Sequence, residues 1–507
     1  MRLAALVTAT AEVAATPSRN AKIDALALLL RAAAPDEIGP LVGLLLAEPR
    51  QGRLGVGWRG LQAVDTTHPA EGALTLGEVD AVLDALADAS GSGSAARRSA
   101  LLSDLSSRAT AQEWDLLARA LGGELRTGAL AGVLLDAIAR ASGRGKDEVR
   151  RAAMLSGDLA ETALLALTGT EAELAAVGLA VGRPVLPMLA ASAGTPTAAL
   201  EITGEASVEY KLDGARIQVH RHGDDVRVYT RSLADVTHRL PEIVEVVRGL
   251  PAHDLILDGE TLSLDEDGGP RPFQETMSRF GAEASRELVL RPWFFDLLHV
   301  DGRDLIDEPL ALRLAELDRV AGPWRVPGLV TADAEAAERL SRDALAAGHE
   351  GVVVKAIDAP YTAGRRGKSW VKVKPVLTFD LVVLGAEWGS GRRRGWLSNL
   401  HLGARDPDGE FGEPGGFVMV GKTFKGLTDE LLRWQTEEFP RHEASRTAGT
   451  VMLHPELVVE IAIDGVQRSP RYPGGIALRF ARVKHYRPDK TPADADTIAS
   501  LRALLRG

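Results

Sequence analysis

Apolar residues recur at helical spacing along the first third of the chain. Ile23, Leu26, Leu28, Leu29 and Leu30 form one such run, and Val82, Leu83 and Leu86 form another. This is the periodicity of helices that bury one face. Pro17-Ser18, Pro35-Asp36 and Gly91-Ser92-Gly93-Ser94 punctuate the runs. Residues 146–159 predict two helices around the turn Ser156-Gly157-Asp158. The pattern predicts an all-helical domain over residues 1–182.

The texture changes at Pro184 and Pro187, which cannot continue a helix. From Glu205 onward the alternation is that of strands, predicted at 208–212, 215–220, 226–230, 255–260, 288–297, 351–355 and 370–374. Helical runs lie between them at 310–320 and 332–347. Residues 183–375 therefore read as an α+β domain with a largely antiparallel sheet. Beyond Pro375 a third texture follows, with strands at 380–388, 396–404, 416–422 and 457–463 and a helix at 428–439. Several short strands with Gly, Asp and Pro turns suggest a small barrel such as an OB-fold over residues 376–507.

Composition narrows the chemistry. The 507 residues include no cysteine, which excludes disulfides, cysteine zinc sites and thiol catalysis. No apolar run reaches the ~18 residues needed to span a membrane, and the first residues make a poor signal peptide, so a cytoplasmic protein is expected. Net charge is −11, so any nucleic-acid partner must be met by local basic patches.

Several strand ends carry charge. Glu209 and Lys211 flank Tyr210 on one strand and share a face; the Asp213-Gly214 turn follows. A lysine here can be a covalent nucleophile if its amine is made neutral, or simply a solvated strand end. Asp258 and Glu260 share a face, and Glu260 suits a hydroxyl or a divalent cation as well as open water. Glu350-Gly351-Val352-Val353-Val354-Lys355 bounds an apolar strand with opposite charges. Lys372 and Lys374 share one face, where an anion or a wet surface would relieve their repulsion. Trp293-Phe294-Phe295 fits a core or a base-stacking platform. Residues 478–490 are basic with interleaved aromatics, which fits phosphate contact or a solvated edge.

Together and in order, Lys211-Leu212-Asp213-Gly214-Ala215-Arg216, Thr230-Arg231-Ser232, Leu257-Asp258-Gly259-Glu260, Phe294-Phe295-Asp296-Leu297-Leu298, Glu350 to Lys355, Trp370-Val371-Lys372-Val373-Lys374 and Arg487-Pro488-Asp489-Lys490 resemble the motifs of the ATP-dependent DNA ligases of the covalent nucleotidyltransferase superfamily. Val149-Arg150-Arg151-Ala152 and Gly157-Asp158-Leu159 resemble the end of the helical DNA-binding domain of the larger members. The resemblance implies a helical DNA-binding domain, an antiparallel-sheet nucleotidyltransferase (ATP-grasp-like) domain and a C-terminal OB-fold barrel. It also implies ATP and Mg²⁺ (or Mn²⁺) as cofactors and nicked double-stranded DNA as partner. A monomer without membrane association is expected.

By the same resemblance, Lys211 takes AMP from ATP, Glu209 contacts the adenine amino group and Phe295 stacks on the ring. Arg216 and Glu260 hold the ribose, and Glu260 and Glu350 are metal candidates. Arg231, Arg366 and Lys372 bind phosphate with support from Lys374, and Arg487 and Lys490 orient the leaving pyrophosphate. Residues 389–395 are a candidate DNA-backbone contact and 373–378 a candidate hinge. His485 stands where many relatives carry arginine. An RNA ligase, a capping guanylyltransferase and an inactive DNA-binding scaffold are the competing readings; the missing cysteines disfavour an NAD-dependent ligase.

Overall fold

The computed structural model describes the chain except residues 65–66, 124, 126–130, 266–268, 272, 279–288, 363–365, 390–392, 424–425 and 506–507, and the side chains of 58–59, 273–274, 278 and 366. The N-terminal region is helical, beginning with Leu3–Ala15 and Arg19–Ala32 and ending with Lys146–Ser156 and Leu159–Thr168. Local chemistry sets several helix ends. Thr75 and Thr110 each cap a helix whose third residue, Glu78 or Glu113, bonds back to the cap, which satisfies two otherwise orphan N–H groups. Gly157 takes φ +67 to end one helix, and Asp158 caps the next through the N–H groups of Ala160 and Glu161. Leu26, Leu29 and Leu30 enter the core with Leu83 and Leu86. Leu28 is 69% exposed, because a helix can turn only one face inward.

The middle region holds two five-stranded sheets. In the first, β1 (Leu189–Ala193), β10 (Arg366–Val373), β9 (Gly351–Ala356), β2 (Ala206–Lys211) and β8 (Gly328–Thr331) lie in that order. In the second the order is β4 (Asp225–Thr230), β3 (Ala215–His222), β5 (Asp254–Ser263), β6 (Leu290–Val300) and β7 (Arg303–Asp304). All pairings are antiparallel except β1 with β10. That exception fits a pair so distant in sequence, since parallel neighbours need a long crossover. Helices Pro196–Thr203 and Ala334–Ala346 cover the first sheet, and Pro241–Arg248 and Leu310–Ala321 cover the second.

The segment leaving the helical region is strapped onto β3. Gln218 accepts from the Val185 N–H (2.8 Å) and donates to its carbonyl (3.1 Å). The Gly182 N–H donates to His220 Nδ1 (3.0 Å), and Tyr229 donates its hydroxyl to the Gly182 carbonyl (2.6 Å). Burial pushes His220 down to about 3, so the ring is neutral and free to accept.

In the C-terminal region β11 (Leu377–Trp388) pairs along one edge with β12 (Leu397–Asp406), which carries β13 (Gly416–Lys422). Along its other edge, the start of β11 pairs with β16 (Val458–Ile463) and its end with β15 (Thr450–Leu453). β14 (Glu443–Arg446) extends β15, β19 (Arg482–Tyr486) extends β16, and β17 (Gly465–Arg468) and β18 (Ile476–Arg479) form a separate hairpin. One long strand serving two partners on one edge curls the antiparallel sheet into a half-barrel around Leu381, Val383, Leu402 and Ile461. Residues 374–376 join it to the middle region, within the expected hinge. No helix among the described residues is long and apolar enough to cross a membrane.

Arg313 and Asp296, both fully buried, tie Leu310–Ala321 to β6 through two bonds of 2.7 and 3.1 Å. The remaining guanidinium donor reaches the carbonyls of Glu308 (2.6 Å) and Ala359 (3.0 Å). Removing one partner leaves an uncompensated buried charge. Asp296→Ala is therefore expected to destabilise the middle region by about 3–5 kcal/mol, read as a lowered urea-unfolding midpoint.

Candidate active site

β2 lies in the first sheet and β3 in the second, so the chain crosses from one sheet to the other through Leu212-Asp213-Gly214. A Cβ on Gly214 would lie 2.4 Å from the Thr261 carbonyl and 3.0 Å from Glu260 Cγ. Only glycine lets the loop come this close to β5. Lys211 thus ends β2 at the seam between the sheets.

Glu350 meets it there. The Glu350 N–H donates to the Lys211 carbonyl (2.9 Å), and the Lys211 ammonium donates to the Glu350 carboxylate. Gly351 follows at φ +139 with the Val373 carbonyl 2.3 Å from where a Cβ would stand, so the chain can enter β9 beside β10. Glu260, on β5, lies opposite Arg216 on β3. Burial raises its carboxyl to about 7, against the pull of Lys211 and Arg216 and with the push of Asp258 and Glu350.

The other end of the cleft is more enclosed. Glu209 and Lys355, each 2% exposed, form an ion pair of 2.5 Å. The Ser207 hydroxyl donates to Glu209 (2.8 Å), and Lys355 donates to the Phe295 carbonyl (2.9 Å). The Lys355 ammonium also lies 4.4 Å from the centroids of both Phe295 and Trp370, where a ring quadrupole attracts a cation. Arg216 grips Asp258 with two bonds (3.0 and 2.6 Å) and donates to the Met188 carbonyl (2.7 Å). Tyr361 donates to the same Asp258 (2.7 Å) and accepts the Met188 N–H (3.0 Å). Burial would lower the Arg216 guanidinium, but Asp258, with Tyr361 and Glu260, more than offsets this and holds it above its ordinary value.

Glu209, Lys211, Arg216, Arg231, Glu260, Phe295, Glu350 and Lys372 all border one cleft of about 480 Å³. Lys374 does not. It has turned past the end of β10 to bond Asp464 (2.5 Å) in an adjoining cleft of about 390 Å³. Asp464, half buried but bonded by Lys374 and Arg482, is held below its usual range. Arg366 begins β10, and its side chain lies outside the described set. Arg487 and Lys490 both bond Asp380 on β11, and Arg487 also bonds Asp489 (2.9 and 2.6 Å). Neither borders the 480 Å³ cleft. His485 lies 3.4 Å from Glu460. Of the 389–395 loop, residues 390–392 lie outside the described set.

Lys355 and Asp258 stand out in the sequence only as charges on strands, without a role, and Tyr361 not at all; in the structure all three support the cleft. Lys355 carried one usable signal: a charge closing a run of three valines, which needs a counter-charge if buried. Arg479, on β18, donates to Asp213 in the Lys211 loop (3.0 Å).

The chain matches three family profiles: "DNA ligase N terminus" over residues 61–139, "ATP dependent DNA ligase domain" over 187–374 and "ATP dependent DNA ligase C terminal region" over 393–490. It is 67% identical over 506 residues to a probable DNA ligase of Pseudarthrobacter chlorophenolicus, covering 100% of both chains. A probable DNA ligase of Rhodococcus jostii is 59% identical over 508 residues, again covering 100% of both. Among solved structures, Pmar-Lig_PreS3 is similar in fold, with a TM-score of 0.64 at 19% identity over 95% of this chain and 99% of that one.

The protonation of Glu260 gives a pH signature. Below about 7 its carboxyl is largely protonated and a poor ligand; above, it is a carboxylate. Any divalent cation that Glu260 ligates, with Mn²⁺ as the probe, should therefore bind more tightly as pH rises from about 6 to about 8. Glu260→Gln, measured calorimetrically, should bind more weakly and lose most of that rise.

Proposed function

The chain belongs to the ATP-dependent DNA ligase family, and from that membership we propose how its own residues divide the work. As a DNA ligase it seals nicks in double-stranded DNA at the expense of ATP. The observation that carries the assignment of roles is the position of Lys211. It stands at the seam of the two sheets with Glu350 bonded to it, Glu260 and Lys372 bordering the same cleft, and Glu209 on the same strand face.

In the first step the Lys211 amine attacks the α-phosphorus of ATP, pyrophosphate leaves, and a lysyl-N-AMP remains. In the second the 5′-phosphate at the nick takes the AMP and frees the lysine. In the third the 3′-hydroxyl attacks that phosphate, forms the phosphodiester and expels AMP. The protein's part in such transfers is positioning and charge neutralisation. A free lysine titrates at about 10.4, so Lys211 must give up a proton before it attacks. Glu350 is the acceptor in bonding reach.

Glu209, about 7 Å along β2 from Lys211, reads the adenine amino group, and Lys355 and Ser207 hold its side chain in place for that contact. Phe295 covers the ring, and Arg216 and Glu260 face the ribose. Arg231, Lys372 and Arg366 contact phosphate; Lys374, bonded to Asp464 in the adjoining cleft, would support them only once that bond is released. Glu260 and Glu350 would hold Mg²⁺. Two carboxylates that repel one another beside a phosphate path are a fitting hard-oxygen donor set, and the cation would supply charge neutralisation at the phosphates.

Arg487 and Lys490 serve only the first step. To reach the pyrophosphate, the C-terminal region must turn about residues 374–376 and give up the Arg479–Asp213 bond. With that bond made, the β17–β18 hairpin stands against the Lys211 loop, the arrangement suited to the later steps on DNA. The DNA ligase N-terminal match favours this reading over an RNA ligase or a capping enzyme.

With α-labelled ATP, Mg²⁺ and nicked DNA, the wild-type chain should form a labelled adenylate and seal the nick, and Lys211→Ala should do neither. Labelling of the Lys211→Ala chain would sink the nucleophile assignment. The two C-terminal contacts should separate by step. Arg487→Ala should slow adenylation on the order of a hundredfold with a smaller effect on sealing a pre-adenylated nick. Arg479→Ala should show the reverse order, and equal losses in both assays would refute the split.

A further inference from the structure

At the end of the second sheet remote from the cleft, two histidines and an aspartate converge. His222 ends β3 opposite Asp254, the first residue of β5, and His253 precedes it. The Nδ1 atoms of both rings lie 2.8 Å from the same oxygen, Asp254 Oδ1. The rings stand nearly perpendicular, with centroids 5.2 Å apart, so they approach that oxygen from different directions. We propose that His222, His253 and Asp254 bind a late first-row divalent cation.

The backbone beneath the three side chains is pinned from two sides. Arg221 donates to the carbonyls of Gly223 (2.8 Å), Val247 (2.9 Å) and Leu250 (2.8 Å). Asp301 accepts the N–H groups of His253 (2.7 Å) and Asp254 (2.9 Å). Gly223, at φ +57, donates its N–H to the His253 carbonyl (3.0 Å). A Cβ at Gly223 would lie 3.3 Å from His253 Nε2, so glycine leaves the ring its place. The imidazoles themselves are 71% and 66% exposed and can adjust at little cost.

The candidate ligand atoms lie within 4.8 Å of one another. Atoms about 2.1 Å from one ion at tetrahedral angles stand about 3.4 Å apart, so each nitrogen need move only about half an ångström away from the oxygen. Two imidazoles and a carboxylate supply three ligands and leave a position open to water. Imidazole favours Zn²⁺, Ni²⁺, Co²⁺ and Cu²⁺ over Mg²⁺. The set therefore differs in kind from the carboxylates Glu260 and Glu350. It is also distant from them, since six residue steps along β3 lead from Arg216 to His222, about 20 Å. A bound ion clamps the β3–β4 turn to the loop before β5 and, by binding only the folded chain, stabilises it.

The test uses tag-free, chelator-stripped full-length protein in excess Mg²⁺, titrated with zinc chloride by calorimetry and melted with and without zinc. One equivalent should bind and raise the melting temperature. His222→Ala and His253→Ala should each weaken binding by about tenfold or more. Both should melt with the wild type when zinc is absent and seal nicks in Mg²⁺ at the wild-type rate. Absence of a stoichiometric zinc equivalent in the wild type, or its retention in the double variant, overturns the site.

Discussion

The passage of the chain from one sheet to the other between Lys211 and Ala215 is the constraint on which the site depends. A lysine at the end of an ordinary strand would point into water. Here the strand ends where a second sheet begins, and Gly214 is pressed against the Thr261 carbonyl. The amine is therefore delivered between two walls, with Glu350 from the first sheet and Glu260 from the second. Replacing Gly214 would push the walls apart at the point where the transfer needs them closest.

The walls are charged and much of that charge is buried, and the structure balances it locally. Asp258 is met by Arg216 and Tyr361, Asp296 by Arg313, and Glu209 by Lys355. Each pair removes a buried charge that would otherwise be costly, and each also fixes a part. Asp258 holds Arg216 still, Asp296 anchors the strand that carries Phe295, and Lys355 orients Glu209. Glu260 is the exception. It borders the cleft without a fixed counter-ion bonded to it among the described contacts, and burial leaves it with a raised pKa. This is the carboxylate that the proposed mechanism assigns to a divalent cation.

In the proposed mechanism the C-terminal half-barrel brings two sets of basic groups to this cleft in turn. In the arrangement described, Arg479 reaches Asp213 and Lys374 reaches Asp464, while Arg487 and Lys490 stay bonded to Asp380 within their own sheet. Both sets consist of partly exposed ion pairs, individually modest in strength. Such strength suits the turning of the linker at 374–376 that the proposed mechanism invokes.

Much of this was legible in the sequence because it is local. Period-two alternation predicted β2 to β6 and β9 to β13 to within a few residues, and caps such as Asp158 marked helix ends from their own chemistry. That Lys211, Glu260, Glu350 and Lys372 belong together was suggested by the order of their motifs and the resemblance it carries rather than by strand position, and all four border one cleft. Short edge elements were not legible. β1, β8 and the β17–β18 hairpin are too brief to show a period and are held by neighbours far along the chain. Only the tertiary structure decided which charges meet. Lys211 and Glu350 are 139 residues apart, and Asp213 and Arg479 are 266 apart. Lys374 shares a face with Lys372 by strict alternation, but the strand ends before it and its side chain goes to Asp464 instead. Alternation along one strand determines which way a side chain points; what it finds there depends on how separate sheets pack, and that information is spread over the whole chain.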